Sequence, residues 1–318
     1  MTINNCKNVL KRLKRLNKDL NSKLAFMPIY SFHSRILREF SLFLCYNYEM
    51  KKCYVITGAT SGIGKALLEN FAKNSIVFAG YRNEKYLNDL QCENVIPFFI
   101  DMEKPDSILS AAEFIKSKTN KVDTLINVAG CVVAGVVEKL PVDNIRRQFE
   151  VNTFSHLDFT QKLLPVLKDK VINISSMSSF GIFPFVAPYC ASKRALDILF
   201  NAMTLESGLK VVSVKPGVIA TPLWNKSIEL NKDSIQNCED YKKEMNYMVE
   251  NARKNSTKGL DKSKVVELIA KVDAMKDPKP SYTVGFDAKF AELISRLPFD
   301  MQNKLIKFAL KCKISKYV

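Results

Sequence analysis

Histidine is nearly absent from this chain: two occur in 318 residues, His33 and His156, far apart in sequence. The eight cysteines (6, 45, 53, 92, 131, 190, 238 and 312) are scattered, and no two form a C-x-x-C pair. That argues against a zinc cage and against a disulfide framework, and it points to a reducing compartment. Long apolar runs are missing too. A membrane-spanning helix needs about 20 consecutive apolar residues. Here the run Ser41–Cys45 is short, and Leu24–Met27 is stopped by Pro28. Neither has the core and cleavage site of a signal peptide. No internal repeat or low-complexity tract stands out. The expectation is a cytoplasmic protein, with peripheral membrane attachment open.

Acidic residues are in short supply as well. Lys and Arg number 48 against 32 Asp and Glu, a formal charge of +16. The excess sits largely at the ends. Residues 1–50 hold nine bases and three acids, and residues 301–318 hold five lysines and no acid. Such ends suit an anionic membrane surface, while solubility or a phosphorylated cofactor explains them equally simply. No nucleic-acid motif accompanies the charge, so nucleic acid is not expected as a partner.

Short apolar runs do occur, at regular intervals. KCYVIT (52–57), SIVFAG (75–80), VIPFFI (95–100), 124–128, 171–175 and 211–215 read as buried strands. Segments with helical spacing lie between them, such as 63–73, 143–167 and 187–205. This alternation predicts an α/β protein with a doubly wound parallel sheet covered on both faces. The first 50 residues fall outside the pattern. Val9, Leu10, Leu13, Leu16 and Leu20 make an apolar stripe among Lys and Arg, a basic amphipathic helix candidate. Met50 directly precedes KKCYVITG, so residues 1–49 read as an upstream extension or as lying ahead of a later translation start. The catalytic region is expected over 51–285.

The first strand runs into TGATSGIG (57–64) and then a helix. Gly58, Gly62 and Gly64 leave no Cβ where a pyrophosphate approaches the backbone. The turn, with Thr60, Ser61 and Ile63, opens a helix whose free N–H groups face that anion. The second strand ends at Arg82, with no acid before it. An arginine there suits a 2′-phosphate, an acid would suit a ribose hydroxyl, and an exposed strand-end arginine is the plain alternative. NADP(H) is therefore preferred and NAD(H) kept open. Asp101 ends the third strand, where it could accept from an adenine amino group or cap the helix that follows.

Tyr189 and Lys193 stand at i and i+4, on one face of a predicted helix. A neighbouring ammonium lowers a phenol's pKa, and a phenol so tuned can give and take a proton at a carbonyl or carbinol oxygen. Ser176 lies thirteen residues earlier, just past a strand, where it could donate to the same oxygen.

In order and spacing, TGATSGIG (57–64), NVAG (127–130), Asn152 in FEVN, Ser176 in NISS, YCASK (189–193) and PGVIAT (216–221) resemble the classical short-chain dehydrogenase/reductase family over about residues 52–225. The approach Pro184-Phe-Val-Ala-Pro-Tyr189 looks like its 17-beta-hydroxysteroid and retinol dehydrogenase branch. The resemblance implies a Rossmann-type sheet of about seven strands, order 3-2-1-4-5-6-7, and a homo-dimer or homo-tetramer. It also implies roles. Tyr189 is the acid/base, Lys193 lowers its pKa and binds the nicotinamide ribose, and Ser176 orients the carbonyl. Asn152 holds a relay water, Asn127, Ala129 and Gly130 pass the adenine ribose, and Thr221 binds the carboxamide. One departure is visible: the usual Asn-Asn-Ala-Gly is Asn127-Val-Ala-Gly, which puts local hydrogen bonding of the sheet in question.

Walls for a substrate pocket are expected at 131–136, at 180–186 and after Thr221, with residues 222–260 as a lid. Phe180, Phe183, Phe185 and Trp224 make that neighbourhood apolar, either as pocket lining or as core beneath the loop. A lipophilic alcohol or ketone is the substrate class this suggests. From Pro280 a last strand and two helices are predicted. Lys304, Lys307 and Lys311 share one face, beside Met301, Leu305, Phe308, Ala309 and Cys312. Such a helix suits a membrane surface, a partner subunit or packing on its own domain.

Overall fold

A computed structural model describes residues 51–315. The basic amphipathic stretch expected near the start lies outside them. The first half alternates β1 (Cys53–Ile56), α1 (Gly62–Phe71), β2 (Ile76–Tyr81), β3 (Val95–Phe99), α2 (Pro105–Lys118) and β4 (Val122–Asn127). The second continues with α3 (Val142–Phe149), α4 (Ser155–Leu163), β5 (Leu167–Ile174), α5 (Ala187–Ser207) and β6 (Lys210–Pro216). Then come α6 (Leu223–Leu230), α7 (Lys232–Gln236), α8 (Lys242–Lys258), α9 (Ser263–Ala274), β7 (Ser281–Val284), α10 (Phe286–Ile294) and α11 (Phe299–Ile314).

The strands form one seven-stranded sheet in the order β3-β2-β1-β4-β5-β6-β7, every pair parallel. That is the order and number expected. The physical cause is legible in β1. Its four residues are all apolar and all buried, as a parallel strand covered on both faces must be. Side chains alternate between faces. Cys53 and Val55 join one core layer with Ile108 and Ile115 of α2, Phe159 of α4 and Phe200 of α5. Tyr54 and Ile56 join the other with Leu67 and Phe71 of α1 and Val265 and Ile269 of α9. Tyr54 pairs with Val77 on one side and Thr124 on the other, which fixes the central register.

One element departs from expectation. The stretch 143–167 reads as a single helix, but the structure divides it. A π-helical turn at Glu150–Phe154 separates α3 from α4 and carries Asn152 at its centre. Such wide turns cost regular helical bonding and commonly mark functional positions. The end of the sheet opposite the site is closed by a buried polar hub. The Asp273 carboxylate accepts from Lys52 Nζ, Tyr54 Oη and Thr124 Oγ1, each at 2.7 Å. It ties α9 to β1 and β4 beneath the core.

Candidate active site

The carboxyl ends of the strands border a cavity of about 520 Å³. Its floor is the turn after β1. Gly58 has φ +64°, a left-handed conformation that favours glycine, and a Cβ there would lie 3.0 Å from Ala129 Cα. Gly64 has an ordinary φ, but a Cβ on it would meet the Gly58 carbonyl oxygen at 2.1 Å, which no side chain tolerates. Ser61 precedes α1 without capping it, and the first turn of α1 holds no acid. Its N–H groups and positive dipole end are thus left for an anion. The turn is braced from β4. Thr57 Oγ1 accepts from the backbone N–H groups of Val128 and Ala129, at 2.9 and 3.1 Å. These bonds need no second asparagine, so Val128 in the departing motif leaves main-chain bracing intact.

Tyr189, Lys193 and Ser176 come together at the middle of the cavity wall. The first turns of α5 present Tyr189 and Lys193 on one face, and the Lys193 ammonium lies 6.0 Å from the centroid of the phenol ring. Lys193 Nζ also donates to the Ile174 carbonyl at the end of β5, 2.8 Å away. Burial lowers its pKa to about 8, against the opposing pull of Asp197. Tyr189 corrects the spacing argument. Burial pushes the phenol up to about 12, and the hydrogen bond from Ser176 works in the opposite direction without overcoming it. The lysine at i+4 is not what sets the phenol's pKa in the protein alone. Asn152 does not point at the cavity. Its amide brackets Cys131, accepting from the Cys131 N–H at 2.9 Å and donating to the Cys131 carbonyl at 3.0 Å. Its side chain therefore locks the loop after β4, next to Gly130 and Lys193.

At the other end of the cavity, Arg82 lines the wall together with Glu103 and Arg147. Glu103 accepts from Arg147 through two bonds, Nε at 2.9 Å and Nη2 at 2.7 Å, and from Arg82 Nη1 at 3.3 Å. The Arg147 guanidinium is the main reason the Glu103 carboxyl is held below its ordinary range. Sequence reading missed both Glu103 and Arg147. They lie 44 positions apart, and no local pattern links them.

Two residues expected at the cofactor have side chains engaged by the protein itself. The Asn127 side chain is buried in the sheet and donates to Asn173 Oδ1 at 2.9 Å and Thr160 Oγ1 at 3.3 Å. It faces into the fold because its strand position points that way, and only its neighbours Val128, Ala129 and Gly130 border the cavity. The Asp101 carboxylate turns to its own loop, accepting from the Glu103 N–H at 3.1 Å, and does not line the cavity. Thr60, Ser61, Gly62, Ile63 and Thr221 do line it.

On the substrate side the four aromatics separate. Trp224 lines the cavity, with its indole N–H donating to the Ile219 carbonyl at 2.9 Å. Phe180 instead packs beneath Lys215, whose ammonium sits 4.5 Å from its ring centroid, and Phe183 and Phe185 do not border the cavity. Phe185 has φ +68°, a strained conformation for a non-glycine residue, and its carbonyl accepts from the Gly135 N–H. Asn231 joins the walls by accepting from Ala134 N at 2.9 Å and donating to the Val132 carbonyl at 2.8 Å.

A glycine cradle without room for Cβ, an uncapped helix N-terminus, a basic far end and a Tyr–Lys–Ser cluster thus border one cavity. Comparison with known proteins identifies the family. A family model described as short chain dehydrogenase matches residues 52–232. An NADPH-dependent 3-dehydrocapnine reductase from Ornithobacterium rhinotracheale is 34% identical over 190 residues, covering 54% of this chain and 67% of that protein. Two solved structures share the fold. A Burkholderia cenocepacia short chain dehydrogenase in complex with NADP has TM-score 0.62 and 21% identity, covering 80% of this chain and 97% of its own. A Burkholderia phymatum short chain dehydrogenase/reductase in complex with NAD has TM-score 0.66 and 18% identity, covering 80% and 95%. The chain belongs to the short-chain dehydrogenase/reductase family of NAD(P)-dependent oxidoreductases acting on CH–OH groups.

Proposed function

We propose that this protein interconverts an alcohol and a carbonyl on a lipophilic substrate, with NADP(H) as the preferred cofactor and Tyr189 as the acid/base. The observation that carries the reading is that Ser176, Tyr189 and Lys193 border the same cavity as the glycine turn. A nicotinamide bound there would supply or accept the hydride. In the reducing direction Tyr189 Oη gives its proton to the carbonyl oxygen as that oxygen gains charge, and in the oxidising direction it takes the proton back. Ser176 donates to the same oxygen and orients it. The Lys193 ammonium, held under the phenol by the Ile174 carbonyl, favours the phenolate formed after proton donation. Asn152 acts as a positioning residue, fixing the loop at Cys131 beside Lys193. Val132, Leu223, Trp224 and Leu230 supply apolar wall for the substrate body.

The preference for NADP(H) rests on Arg82. It lines the cavity with no acid directly before it, and it shares Glu103 with Arg147, so two guanidinium groups stand where a 2′-phosphate would enter. A charged hydrogen bond is worth about 1.5–3 kcal/mol. Arg82→Ala is therefore expected to weaken NADPH binding roughly tenfold to a hundredfold and to leave NADH binding unchanged. Titration of both cofactors by nicotinamide fluorescence reads this out. Equal affinity of the wild type for the two cofactors would overturn the preference.

A further inference from the structure

The last two helices expose more large apolar side chains than any other described part of the chain. On α10, Phe286, Phe290 and Leu293 are all solvent-exposed, Phe286 at 85%. On α11, Met301, Leu305 and Phe308 are exposed, Phe308 at 70%. Each set repeats at i, i+4 and i+7, so each is a single stripe along its helix. The inward face of α11 is different: Gln302, Asn303, Ile306, Leu310 and Ile314 are the half-buried positions. Packing on the protein's own domain thus uses one face and leaves the apolar stripe outside.

Lysines flank both stripes on one side. Lys289 stands beside the α10 stripe, and Lys304, Lys307 and Lys311 form a row along α11. The acids of these helices are largely engaged. The Asp287 carboxylate accepts from the Val218 N–H at 2.7 Å, and Glu292 accepts from Thr283 Oγ1 at 2.8 Å and pairs with Arg296. Asp300 is the exposed acid that remains. Apolar side chains beside a row of lysines match a bilayer with anionic headgroups: the stripe enters the acyl boundary while the ammonium groups stay at phosphate level. A second copy of the same face would set lysine row against lysine row with one free acid per copy to offset it.

We propose that the outer faces of α10 and α11 dock this protein on an anionic lipid surface. The face adjoins the cavity. Asp287 at the start of α10 holds Val218, a cavity-wall residue, and α10 packs on the Met177–Phe180 turn beyond Ser176. Docking there sets the cavity beside the membrane, where a lipophilic alcohol or ketone concentrates. That use rests on the lipophilic-substrate reading. The docking itself does not.

Flotation of the full chain with vesicles tests it. Wild type should float with phosphatidylcholine vesicles containing phosphatidylserine, and should float weakly with phosphatidylcholine alone or in high salt. Each lysine near the surface contributes roughly fivefold in partitioning. The variant Lys304→Gln/Lys307→Gln/Lys311→Gln should therefore lose at least about tenfold. Phe286→Ser/Phe290→Ser/Phe308→Ser should lose binding to a similar degree, with thermal melting and NADPH affinity as in the wild type. Absence of wild-type flotation, or flotation unchanged in the Phe variant, overturns the proposal. The second result would place membrane binding in residues 1–50. A wild-type dimer that the Phe variant dissociates, with no flotation, would assign the face to a second copy. Turnover of lipophilic ketones without vesicles is scored separately, so failure of the substrate reading is not confused with failure of docking.

Discussion

Tyr189→Phe is expected to lower kcat by about a hundredfold to ten-thousandfold, the range that positioned acid–base groups supply. The ring remains and fills the same place on α5, so the cavity wall is preserved. What disappears is the proton donor and the acceptor of the Ser176 bond. Cofactor affinity should stay within about threefold of wild type, because a kcat effect without a binding effect marks an interaction made in the transition state. Single-turnover reduction of a lipophilic ketone, with NADPH loss followed at saturation, separates chemistry from binding. A variant that turns over within a few-fold of wild type would show that the proton comes from elsewhere. The expected defect depends on a protonated phenol, and burial, which pushes Tyr189 up to about 12, favours that form in the free protein.

Acid should destabilise the fold through His156, and His156→Gln should remove that sensitivity. His156 sits one turn past Asn152 and is buried. Its Nε2 lies 2.8 Å from the Ala129 carbonyl, which can only accept, so Nε2 carries the proton. The buried Nδ1 has no partner among the described residues. Protonating it would bury a charge and leave a new N–H without an acceptor, next to the Lys193 ammonium. Burial first, and then that ammonium, lower the imidazole pKa to about 3. In the unfolded chain the value is about 6.5. Between these values the unfolded chain binds the proton and the native one does not, so stability falls as pH drops below the unfolded value. By pH 5 the loss is about 2 kcal/mol from this group. A glutamine can still donate to the Ala129 carbonyl and cannot titrate. Urea unfolding of both proteins at pH 7 and pH 5 should show the wild type losing that much more than the variant. Parallel losses would refute the assignment.

How much of this was readable without a fold differs from one residue to the next. The strands announce themselves because a parallel sheet covered on both faces demands unbroken apolar runs, and CYVI and IVFAGY are such runs. The glycine turn is legible for the same local reason: backbone approach at Gly58 and Gly64 excludes any Cβ. The Tyr189–Lys193 pair follows from helical spacing alone. The side-chain direction of Asn127 was not legible, because membership in a motif does not say which way a side chain points. In this sheet it turns inward to Asn173.

The sequence by itself determined the alternation of strands and helices, the glycine turn and the Tyr189–Lys193 pair, because each depends on residues within a few positions of one another. The tertiary structure alone decided what depends on distant partners. It brought Glu103 to Arg147 beside Arg82, it set the Tyr189 phenol and His156 imidazole by burial, and it chose Trp224 over Phe180 as cavity lining. It also turned the apolar stripe of α11 outward. Periodicity shows that a helix has an apolar side. Which side meets water is settled only by what the rest of the fold leaves uncovered.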